Sequence, residues 1–101
     1  MSRTAYRYRF DEDVDLDVVR KVLSDCLNGT AKLLGPGRVR AEAECLVDES
    51  IGVVLIGTNS FVGLVLNATF MAVLSARFGE SVFNARQVEL VVAIIDGEDG
   101  R

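Results

Sequence analysis

From Ser50 to Ala76 the chain carries no charged side chain, although 26% of its residues are charged. The run opens with Ile51-Gly-Val-Val-Leu-Ile-Gly57, passes through Thr58-Asn59-Ser60, and continues as FVGLVLNATFMAVLSA. Its first part has the length and β-branched content of a central strand. The three polar residues are all good helix N-caps. The rest is a helix, expected from about Ser60 to Phe78 and stopped at Gly79. A surface helix normally buries one stripe and shows charge on the other. A helix apolar on two sides constrains the fold strongly: one side goes against a sheet, and the other needs a partner, a second subunit or a membrane.

The flanking segments supply the sheet. Thr4 to Phe10 alternates, with Tyr6, Tyr8 and Phe10 on one side and Arg7 and Arg9 on the other, the period of a half-buried strand. Past the acidic run Asp11–Asp17, the period becomes helical through Leu16, Val19, Leu23, Cys26, Leu27 and Leu34. Gly35-Pro36-Gly37 ends this helix, while Asn28-Gly29 weakens its middle and offers an earlier stop, leaving 30–34 looser. Arg38 to Val47 alternates again, with Val39, Ala41, Ala43, Cys45 and Val47 opposite Arg38, Arg40, Glu42 and Glu44. Val82 to Ile95 holds one long strand or two short ones. The order β-α-β-β-α-β predicts an α+β, ferredoxin-like domain, an antiparallel sheet with two helices on one face and its first and third strands central. It would span residues 1–96, with 97–101 as a polar C-terminal tail.

Composition excludes much chemistry. The chain has no histidine and two cysteines, so Ser–His and Cys–His nucleophiles and His- or Cys₄-type zinc sites are absent. Gly52 and Gly57 have the spacing of a phosphate loop, but Thr58-Asn59 follow where Lys-Ser/Thr is required. In a ferredoxin-like frame the first βα loop would be the phosphate cradle of an acylphosphatase; here it is Asp-Glu-Asp-Val-Asp, which repels phosphate. Asp11, Asp13, Asp15 and Asp17 open like a calcium loop, but the sixth and twelfth positions from Asp11 are Leu16 and Val22. Neither a metal nor a cofactor is expected.

A formal charge of −4 and a pI near 4.7 disfavour nucleic acid, and no basic patch is evident. The expected sheet surface shows Arg7, Arg9, Glu42 and Glu44 rather than stacking aromatics. MSRTAYRYRFDED has no apolar core of a secretory signal, so Cys26 and Cys45 are expected as buried reduced thiols of a cytoplasmic protein. A membrane span is disfavoured by the capping turn 57–60, by Asn67 and Thr69, and by Asp48-Glu49 where a basic flank would stand.

Two candidate sites follow. Wound at 100° per residue, the second helix directs Leu64, Leu66, Phe70, Met71, Leu74 and Phe78 to the sheet. The opposite arc holds Phe61, Val62, Val65, Thr69, Ala72 and Ala76, uncharged where a free monomer places Lys or Glu. These six are the candidate interface of a non-enzymatic interaction module that binds a protein partner or forms a homo-oligomer. The alternative is a regulatory domain sensing a small ligand or anion at the helix start formed by Thr58, Asn59 and Ser60.

Overall fold

The computed structural model describes residues 2–91. In chain order it contains β1 (Ser2–Phe10), α1 (Leu16–Leu34), α2 (Pro36–Glu42), β2 (Cys45–Asp48), β3 (Val53–Gly57), α3 (Phe61–Phe78) and β4 (Phe83–Val91). The strands form one antiparallel sheet in the order β2-β3-β1-β4. The first and third strands are central, as expected, β3 being the most apolar of the four. The expected strand from 82 to 95 is a single strand as far as Val91; its remaining residues and the 97–101 tail lie outside the described residues.

Alternation decides the layers. Tyr8 and Phe10 of β1 and Val54 and Ile56 of β3 enter one core cluster with Val19, Val22, Leu23 and Cys26 of α1 and Leu66, Phe70 and Leu74 of α3. The described helices therefore lie on this side of the sheet. Tyr8 is at its centre, edge-on to Phe70 at 4.9 Å between ring centroids and an interplanar angle of 80°. Its hydroxyl donates to the Asn67 side-chain oxygen, which satisfies two polar groups buried together. Burial, with smaller contributions from Tyr6 and Cys26, pushes the Tyr8 phenol above its ordinary pKa.

Three points are decided by the tertiary structure. First, of the two stops that the sequence offers for the first helix, Gly35 is the one used, and α1 runs through Asn28-Gly29 to Leu34. Both weak residues are solvent-exposed, while Cys26 and Thr30 on the inner face are buried, so packing carries the helix through. The hydroxyl of Thr30 donates to the Cys26 carbonyl at 2.8 Å and needs no further partner.

Second, 38–42 is not strand. Gly35 has φ +101°, a conformation that L side chains rarely adopt, and it turns the chain so that Pro36 begins α2. Arg, Ala and Glu are strong helix formers, and Arg38 pairs with Glu42 at 3.2 Å one turn later. Small alternating residues imitated a strand, and only Cys45–Asp48 joins the sheet. The domain therefore has three helices rather than two.

Third, the thiols differ. Both cysteines are free, Cys26 buried and Cys45 exposed on the edge strand. Burial and the Asp25 charge raise the Cys26 pKa. Partial shelter of its sulfur raises that of Cys45. Neither is tuned toward the thiolate that nucleophilic chemistry needs.

Candidate functional site

The β3–α3 junction is built from the residues that suggested an anion site. Ser60 is the N-cap of α3, its Oγ accepting the Gly63 N–H at 3.0 Å and donating to the Glu42 carbonyl at 3.3 Å. Asn59 Oδ1 accepts from both the backbone N–H and the hydroxyl of Thr4, while its amide donates to the Thr4 carbonyl. The Thr58 N–H donates to that same carbonyl, and its hydroxyl donates to Thr4 Oγ1. All three side chains are thus committed within the protein, clamping α3 to the start of β1. Replacing Ser60 by alanine is expected to cost about 1 kcal/mol through the lost cap. Urea unfolding checks this, and an unchanged midpoint would mean the cap bond contributes nothing.

Gly63 sets the orientation of α3. A Cβ there would lie 2.1 Å from the Gly57 carbonyl oxygen, so this glycine must face β3. With that contact fixed, Val62, Leu66, Asn67, Phe70 and Leu74 turn inward and are buried. Val62 is therefore a core residue and not part of an interface. Leu64, expected against the sheet, is 53% exposed.

The outward arc is rotated from the expected one by about half a residue, ~50° at 100° per residue. It retains Phe61, Thr69, Ala72 and Ala76 as exposed residues, with Val65 half-buried, and it gains Leu64 and Ala68. No charge lies in it. Thr69 directs its hydroxyl to the Val65 carbonyl at 2.8 Å, so even the polar member of this face has its donor engaged. At one end the Arg38 guanidinium sits 5.6 Å from the centroid of the Phe61 ring. By length and composition α3 could cross a membrane, with 33% of the helix buried inside the fold. The close approach at Gly63 places Leu64 and Ala68 outside, and no contrast with charged neighbours in the sequence marks them.

The acidic loop is exposed. Asp15 caps α1 by accepting the Asp17 N–H at 2.9 Å. Asp11, Glu12, Asp13 and Glu80 border an open cleft of about 920 Å³. Among the described residues, no group of three or more His, Cys, Asp or Glu is arranged to hold a metal ion.

The fold and surface define an α+β domain with an uncharged helix face on its exterior. No family model matches the chain, and no curated protein matches its sequence.

Proposed function

We propose that this chain is a non-enzymatic protein-interaction or oligomerisation module of the cytoplasm that docks through the outer face of α3. The observation that carries the reading is that face itself, an uncharged arc with Phe61 55% and Leu64 53% exposed. Fully burying a large apolar side chain contributes roughly 1.5–3 kcal/mol, so two such anchors ringed by alanines can drive association when surfaces match. The alanines also let a second helix approach closely. For the fold, strand order and the paired βα halves support the ferredoxin-like reading, with α2 as an addition between the first helix and the second strand. Anion sensing at 58–60 has less support, because those side chains already bond within the protein.

Size exclusion with light scattering over a wide concentration range tests the reading. A discrete oligomer, or capture of a specific protein, should be lost in Leu64→Glu and Ala72→Glu. Both positions are exposed, so both variants should unfold like the wild type. If both variants assemble and bind as the wild type does, the helix is not the interface. Preferential uptake of the wild type into neutral lipid vesicles would instead assign the face to a membrane.

A further inference from the structure

The second face of the sheet has a different character. Residues that alternate with the core positions share it: Arg3, Arg7 and Arg9 of β1, Leu46 and Asp48 of β2, Leu55 of β3, and Arg86 and Leu90 of β4. The described helices lie on the opposite side. Of the acids expected to balance this face, Glu42 belongs to α2, while Glu44 stays on it and is taken up by Arg3. Pairing of β4 with β1 then adds a charge that the sequence alone does not place, because Arg86 stands directly opposite Arg7. Arg9 is the next residue of β1 on the same side, at the border of the acidic cleft. Among the described residues, Arg7, Arg9 and Arg86 have no ion-pair partner.

Like charges directly opposite across a sheet are destabilising, and such breaches of local rules concentrate at functional surfaces. Beside the arginines lies an open hollow of about 350 Å³ whose lining includes Ala5, Leu46, Leu55 and Leu90 together with the Arg3–Glu44 ion pair. We propose that this open sheet face docks an acidic polypeptide segment of a partner protein, carboxylates on Arg7 and Arg86 and an adjacent apolar side chain in the hollow. Guanidinium groups bind carboxylates through paired, charge-assisted hydrogen bonds, and the leucines of the hollow supply an apolar contact. A second copy does not fit this face, because a two-fold contact would bring two sets of unpaired arginines together. Single-stranded nucleic acid is disfavoured too. Tyr6, Tyr8 and Phe83 pack on the helix side, so among the described residues no aromatic on this face offers a base a stacking platform. The proposal does not depend on the role of α3.

Fluorescence anisotropy with a labelled peptide of Asp, Glu and Leu tests it. The probe is run beside its Asn/Gln/Leu counterpart, an oligothymidylate of equal length and phosphatidylserine vesicles. The acidic peptide is expected to bind, to weaken with salt, and to bind about tenfold more weakly to Arg86→Glu. The same variant is expected to raise Tm by a few degrees, since the carboxylate at position 86 would face Arg7. Loss of binding together with a gain in stability excludes unfolding as the cause. Arg86→Gln and Arg7→Gln serve as charge-removing variants if the reversal disturbs the fold. The proposal is overturned by an acidic peptide that does not bind at low salt, by binding indifferent to the arginine variants, or by tighter binding of the oligonucleotide or the vesicles.

Discussion

Phe70→Ala is expected to remove about 3–5 kcal/mol of stability, the range for deleting a fully buried aromatic ring. Phe70 is 0% exposed. Its ring meets Tyr8 edge-on, and Tyr8 also lies 6.1 Å from Phe83, which lies 5.9 Å from Phe10. The cavity would open where α3 meets the central strand, among side chains held by both layers. A domain of this size has about 5–15 kcal/mol in total, so the loss takes a large share. Tyr8 would remain tethered by its hydrogen bond to Asn67 and could not swing in to fill the space. Urea denaturation followed by circular dichroism measures the effect. Phe61→Ala is the internal control: on the same helix but 55% exposed, it should change stability by less than about 1 kcal/mol. Similar losses in the two variants would mean the assigned rotation of α3 is wrong.

Gly63→Ala is the second large effect, and its sign is diagnostic. In a helix, alanine is favoured over glycine by about 1 kcal/mol. Here the added carbon would lie 2.1 Å from the Gly57 carbonyl oxygen and 3.3 Å from Ser60 Oγ. The opposing strand end has little freedom to retreat, because the Gly57 N–H donates to the Glu44 carbonyl at 2.8 Å and the Thr58 N–H to Thr4 at 3.0 Å. Overpacking of this kind costs about 1–3 kcal/mol, more where only backbone can move. Less the alanine preference, a net loss of up to about 2 kcal/mol is expected, read as a lower urea midpoint. Gly29→Ala is the counterpart, since nothing lies within 4 Å of a Cβ at that helical position. It should stabilise by about 0.5–1 kcal/mol. If both glycine variants stabilise, α3 does not approach β3 as closely as described.

The misreadings trace to particular residues. Val39, Ala41 and Ala43 alternate with charged neighbours and look like a strand, yet Pro36 at the first helical position and the Arg38–Glu42 pair make 36–42 helical. Short alternation built from alanine says little, because alanine suits either period. The rotation of α3 was hidden for a different reason. Helical periodicity locates an inner face by contrast with charge, and between Ser50 and Ala76 there is none. Val62 and Leu64 are interchangeable by hydrophobicity, and it is the backbone contact at Gly63 that sends one inward and the other out. The arginine face was partly visible in Arg7 and Arg9, while Arg86 had a legible signal in the alternation of Phe83 and Ala85 with Asn84 and Arg86.

Legible in the sequence were the periods of β1 and α1, the apolar central strand β3, a capping turn at Thr58-Asn59-Ser60, the stops at Gly35 and Gly79, and a helix with more uncharged apolar surface than one sheet can cover. These are local properties, set by side-chain spacing and backbone preference within a few residues. The tertiary structure alone decided which side of α3 faces outward, that Cys45 lies exposed at an edge, and that Arg86 sits opposite Arg7. Each depends on contacts between segments far apart in the chain, and no local pattern encodes which distant atom fills the space beside a given residue.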